Sequence, residues 1–289
     1  MRFIDADSVI RWGFVLCAFF ISPLLAQAQQ RPLLTEEVDI IRPGTIRLEV
    51  GFEFLQDQRF ALSGLRGDPT AIGVVGITVG LAPNVEFQIQ GTVQNFLSID
   101  QRGPSAIPLK LPRANSTNDV GDFTLSAKFL LRRESERAPA IGFRLGVQLP
   151  NTDQSRGLGT NQTNFLGTIL MGKHLGRLHL WGNIGLGIFS APVEPFAQND
   201  MLLYGLAGLY RINDQLNLVG EINGRANTRS GPAPLGTESQ GQVRLGVQFR
   251  AGGLWWDVAG MKGLTDHSPD SGVTFGVRYE FQAFHPVDR

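Results

Sequence analysis

Asp266, His267 and Ser268 are consecutive residues of the types that supply a carboxylate, a general base and a nucleophile. Such groups act only where their side chains converge in space, and adjacent positions do not by themselves converge. The run therefore reads as the polar chemistry of a turn. The four histidines are the next candidates. His174 and His179 flank a short turn, His285 lies near the end, and no spacing among them has a metal-site pattern. Cys17 is the only cysteine and sits in an apolar N-terminal run. The rest of the chain has no thiol for a disulfide, a thiolate metal site or a nucleophile. Neither a Walker A pattern nor a dinucleotide fingerprint occurs. The expectation is no enzyme, no cofactor and no metal.

The remaining residues that could do chemistry are charged and amide side chains placed at alternate positions. They are Glu49 and Glu53, then Glu86, Gln88, Gln90 and Gln94, then Lys128, Arg144 and Gln148. Glu221, Asn223 and Arg225 follow, then Gln242, Arg244 and Gln248, and finally Asp257, Arg278 and Glu280. Between them stand Leu, Val, Ile and Phe. A period of two is that of a strand with two unlike faces. So many ionised groups cannot all enter a dry core. On a closed sheet in a membrane they would line a wet interior, while the apolar face met lipid.

The elements that would carry them are segments of about ten residues, about twelve in all, as in transmembrane barrels. Ile46, Leu48, Val50, Phe52 and Phe54 share one face of the first, and Val85, Phe87, Ile89 and Val93 one face of the third. The last is Val273, Phe275, Val277, Tyr279 and Phe281. The facing of 164–173 stays open, and 201–210 is apolar on both faces. Connections alternate, long at 55–69, 98–122, 150–163, 190–200, 226–240 and 262–271, short between. Segregated loops are a barrel signature. Loop 98–122 holds the apolar stretch Ile107–Arg113, read as a surface lid or, less often, an inward fold. Trp255, Trp256, Tyr210 and Tyr279 lie near strand ends, where interfacial girdles form; Trp181 is mid-strand.

Lys plus Arg equals Asp plus Glu at 26 each, so no basic field invites nucleic acid. Hydropathy near zero excludes a bundle of apolar helices. Residues 1–28 read as a cleavable signal peptide: Arg2 and Arg11, an apolar run from Trp12 to Leu25, then Ala26-Gln27-Ala28. The expected organisation is then 29–44 as a periplasmic or plug segment, 45–281 as the barrel and 282–289 as a tail.

Three stretches carry a family resemblance. They are RPLLTEEVDIIRPGTIRLEVGFEF (31–54), DVGDFTLSAKFLL (119–131) and LPNTDQSRGLGTNQTNF (149–165). Together they resemble the outer-membrane transporter family named for the meta-pathway of phenol degradation. In the third, Asn151 and Thr152 stand where the family pattern has Thr-Gly. The resemblance implies a 12-stranded outer-membrane barrel passing small molecules, apolar or aromatic ones among them. The last strand is similar to the signal read by the barrel assembly machinery, although eight residues follow Phe281.

The function expected is passive passage of small solutes across a bacterial outer membrane, with lipids, the assembly machinery and the solute as partners. The inward residues of the third, fifth, ninth and tenth segments would carry it. A hydrolase acting at the rim and a structural barrel with a closed lumen are the alternatives.

Overall fold

The computed structural model describes residues 31–111, 115–194 and 197–285. The segment read as a signal peptide lies outside the described residues, as do Pro112, Arg113 and the end of the tail.

The alternating segments form fourteen strands. They are β1 (Thr45–Gln56), β2 (Gln58–Phe60), β3 (Leu65–Ala82), β4 (Val85–Arg102), β5 (Ser116–Asp119), β6 (Thr124–Arg132) and β7 (Ala140–Gln148). Then come β8 (Asn164–Leu175), β9 (Leu178–Ser190), β10 (Gln198–Asn213), β11 (Leu216–Asn227), β12 (Gln240–Ala251), β13 (Leu254–Gly263) and β14 (Ser271–Gln282). All pairings are antiparallel, and β14 pairs with β1 from Thr45↔Gln282 to Gln56↔Ser271, closing the sheet. The closed ring is β1, β3, β4 and β6 through β14, twelve strands as expected. The other two are short: β2 pairs with the start of β3 and β5 with the outer part of β4. Closure leaves no unpaired edge, which hydrocarbon would not tolerate.

The tight connections, at 83–84, 133–139, 176–177, 214–215 and 252–253, share one end with Thr45 and Gln282. At 252–253 both residues are glycine with φ of 61° and 80°, the left-handed pair that a two-residue hairpin turn requires. At the long-loop end β3 and β4 each reach 18 residues, so the loops expected at 55–69 and 98–122 are shorter than they read. Leu65, Leu97 and Ile99 form a small core there, and Phe60, Leu109, Leu111 and Leu158 pack on it. The apolar stretch from Ile107 is thus held against this hairpin.

Facing follows the alternation. On β1, Leu48, Val50, Phe52 and Phe54 are exposed while Arg47 and Glu49 are buried. On β8, whose facing the sequence left open, Phe165, Ile169 and Met171 point out while Asn164 and Leu170 are buried. On β10 the outward residues are Leu202 and Leu206, and Met201 and Ala207 are buried. Such an outer surface would be an aggregation patch in water and is a matched surface in lipid. Among the described residues no helix is long and apolar enough to cross a membrane. The strands do the crossing.

The aromatic girdle is only partly as expected. Tyr210, Trp256 and Tyr279 are outward and exposed. Trp255 shares the inner face with Asp257, and the Arg278 guanidinium lies 5.6 Å from its ring. Adjacent tryptophans on a strand face opposite ways, so only one can be interfacial. Trp181 is buried in the lumen.

Lipid contact at the outer face makes a measurable claim. Leu145 is 51% exposed on that face. Leu145→Arg should destabilise the folded barrel by about 2–4 kcal/mol if it lies near the bilayer midplane. Urea unfolding in liposomes, read by tryptophan fluorescence, measures this; an unchanged midpoint would contradict lipid exposure there.

Candidate functional site

The lumen is crossed by the segment before β1. Leu33, Thr35, Glu36, Glu37, Val38 and Ile41 are all at most 4% exposed. The segment carries three acids in four residues, Glu36, Glu37 and Asp39, and the inner wall answers them with cations and amides.

On the β4–β6–β7 side, Lys128 Nζ lies 2.9 Å from Glu36 and 2.8 Å from Glu86, and donates to the Glu37 carbonyl at 2.8 Å. The Gln88 amide bridges Glu36 and Glu86 at 2.8 Å each. Arg144 donates to Gln88 at 3.0 Å and Gln90 at 2.7 Å, and lies 3.8 Å from Glu36. Glu86 also accepts the Ile41 amide at 2.8 Å. A lone buried carboxylate would be costly, whereas one surrounded by donors is stable.

On the opposite wall Glu221 accepts from the Leu34 amide, the Thr35 amide and the Thr35 hydroxyl, all within 3.0 Å. Trp181 donates its indole N–H to the Thr35 carbonyl at 2.9 Å. Arg244 donates to Glu53 at 3.0 Å and the Pro32 carbonyl at 3.2 Å. Further round, Gln248 donates to the Arg31 carbonyl, and the Arg31 guanidinium lies 3.8 Å from Asp257. The wall yields space where the segment passes: a Cβ on Gly205 would stand 2.7 Å from the Thr35 hydroxyl, and one on Gly172 2.6 Å from Val38.

Most of the residues singled out by alternation thus share the lumen, in distinct groups. Glu86, Gln88, Gln90, Lys128 and Arg144 surround Glu36. Glu53, Glu221 and Arg244 hold residues 32–35. Gln248 and Asp257 hold Arg31. Glu49 and Arg278 stand opposite each other in the β1–β14 register, beside Arg47, which lies 3.0 Å from Glu280. Nearer the long loops, Gln242 donates to Asn223 at 3.3 Å, Gln148 joins Asp122 and Asn164, and Arg225 lies over Phe189 at 5.0 Å. Gln94 departs from the group. The β1–β3 register slips at Gly73, and the Gln94 amide reaches Asn118 on β5 instead of a lumen partner.

Outward of the segment the lumen holds a cavity of about 400 Å³. Leu34, Thr35 and Glu36 line its floor, and Glu53, Arg144, Leu203, Asn223, Arg225 and Arg244 line its walls. It joins cations, two carboxylates and aliphatic surface. A larger apolar depression, about 530 Å³, includes Phe87, Leu125, Leu145, Phe165 and Ile188 on the lipid side. The Ser268 hydroxyl bonds the backbone of Gly241 and the Thr265 hydroxyl. No imidazole partners it among the described residues.

The chain matches over residues 30–281 a family described as the putative MetA-pathway of phenol degradation. It belongs to that family. The barrel is similar in fold to the COG4313 outer membrane channel from Pseudomonas putida F1, with a TM-score of 0.59 at 14% identity. The likeness covers 84% of this chain and 98% of that one. The NanC porin follows at 6% identity and TM-score 0.48, covering 81% and 97%. The translocator domain of the autotransporter NalP from Neisseria meningitidis stands at 13% and 0.47, covering 82% and 88%. No curated protein matches this chain.

At the short-turn end of the barrel, Glu134 in the β6–β7 turn accepts from His174 at 2.7 Å and Lys173 at 3.0 Å. Partial burial opposes ionisation, yet the hydrogen bonds from His174 and Lys173 hold this carboxyl down to about 2.

Proposed function

We propose that this protein passes small molecules, apolar or aromatic ones among them, across the bacterial outer membrane without cofactor or energy coupling. Residues 31–44 act in this reading as a plug that must shift for a solute to pass. The carrying observation is the 400 Å³ cavity that ends on Leu34, Thr35 and Glu36. Its mixture of guanidinium groups and aliphatic surface suits a compact molecule with an apolar body and a polar or anionic group. Family membership and the fold support the outer-membrane setting. The last strand, Val273 to Phe281, is the segment that the assembly machinery would engage.

Uptake in liposomes over a panel of apolar and aromatic solutes tests this. Saturable uptake of some members is expected, and Arg225→Gln should change their order of preference. Uptake no faster than through protein-free liposomes, for wild type and for a chain without residues 31–42, would overturn it. Phospholipid hydrolysis by the purified protein, lost in Ser268→Ala, would establish the hydrolase instead. A second reading, a barrel permanently shut, draws on the dense bonding of the segment. It predicts that no solute moves through the wild type while the truncated chain conducts.

A further inference from the structure

Where β8 and β9 meet at the 176–177 turn, His174 and His179 are direct cross-strand partners. Linear spacing hides this, because five positions apart across a two-residue turn is a paired position. Their imidazoles stack with centroids 3.7 Å apart and planes at 11°. Each commits Nδ1 to a carboxylate, His174 to Glu134 at 2.7 Å and His179 to Glu37 at 2.9 Å. In the neutral ring a carboxylate on Nδ1 fixes the proton there and leaves Nε2 with a free lone pair. The Nε2 of His179 is buried and has no hydrogen-bond partner. The Nε2 of His174 lies 3.9 Å from Asp39 Oδ2. Ligand atoms of Asp39, His174 and His179 all lie within 4.8 Å of one another. Gly172 borders the site, a Cβ there standing 3.4 Å from His179 Nε2.

We propose that Asp39, His174 and His179 bind one divalent transition-metal ion, most suitably zinc, tying the N-terminal segment to the barrel wall. Two imidazole nitrogens and a carboxylate oxygen are a first-row transition-metal donor set and a poor one for calcium or magnesium. Glu37 and Glu134 are the carboxylates that orient the two rings. Binding opens the ring stack so that both Nε2 lone pairs converge. The fourth position falls on the His174 side, which is open to solvent, and takes water. His174 and His179 belong to the wall and Asp39 to the crossing segment, so the ion joins the two. That the ion latches the plug rests on the function proposed above; that it binds does not.

The test uses the refolded chain without a histidine tag, freed of metal, titrated with cobalt(II) as a spectroscopic probe and with zinc(II) by calorimetry. One ion per chain and visible cobalt bands of a four- or five-coordinate nitrogen–oxygen site are expected. Asp39→Asn and His174→Ala should each abolish the bands. Glu134→Gln should weaken affinity by about 10–100-fold, the usual effect of losing an orienting carboxylate. His267→Ala and His285→Ala should change nothing. His174 is the more exposed ring, so its variant keeps the test valid if His179→Ala fails to fold. Absent stoichiometric binding, or binding unchanged in His174→Ala, would overturn the site. Zinc should also lower conductance relative to metal-free protein. Stoichiometric binding with unaltered conductance would leave the metal site standing and remove the latch.

Discussion

A chain lacking residues 31–42 should conduct several-fold better than the intact protein in planar bilayers. The segment occupies the lumen between walls that bond it on both sides, through Glu221 and Trp181 at one and Lys128, Gln88 and Glu86 at the other. None of the paired residues of the twelve-strand ring lies in the deleted stretch, so closure through Thr45↔Gln282 is kept. Deletion strands inner charges, but a lumen filled with water solvates them, unlike a packed core. The barrel should therefore still form, and the current should rise in size and lose its closures. Equal conductance from the two chains would mean that solutes do not pass where the segment lies.

Lys128→Met should have the largest effect of any single substitution. The ammonium is 3% exposed and sits between Glu36 and Glu86 at 2.9 and 2.8 Å. Its removal leaves two buried carboxylates near each other, with Arg144 3.8 Å from Glu36. Breaking a buried pair in this way costs about 3–5 kcal/mol. Two outcomes compete: the barrel loses that stability, or the segment leaves the lumen and Glu36 ionises in water. Urea unfolding of the intact chain and of the chain without residues 31–42 separates them. The substitution should destabilise or open the intact protein and matter less in the truncated one, where Glu36 is missing. Equal effects in both would show that the pairing with Glu36 contributes little.

The barrel was legible in the sequence because a transmembrane strand must show two unlike faces at period two. Leu48 and Glu49 declare their sides without knowledge of their partners. Residues 31–44 carry no such period. Leu33, Val38 and Ile41 are apolar whether they enter a lumen or bind elsewhere, so the sequence left both positions open. A usable signal was there: the acids Glu36, Glu37 and Asp39 precede a barrel whose inner face offers Lys128, Arg144 and Arg244. Alternation alone puts Gln94 on the inner face, because it does not register the residue inserted at Gly73, which shifts the facing. Linear spacing does not bring His174 and His179 together, because their rings meet across a turn.

Thiol accessibility along β7 tests the central arrangement most directly. A chain beginning at Gln29 has no native cysteine, so single cysteines can be placed in turn from Ile141 to Gln148. In liposomes, with residues 31–42 also removed so that Val38 no longer covers the wall at Gly142, positions 142, 144, 146 and 148 should react with a membrane-impermeant maleimide. At 141, 143, 145 and 147, probes should instead be quenched by brominated lipid. Uniform reactivity, or the opposite alternation with the Leu145 position in water and the Arg144 position in lipid, would contradict a water-facing inner wall sealed from the bilayer.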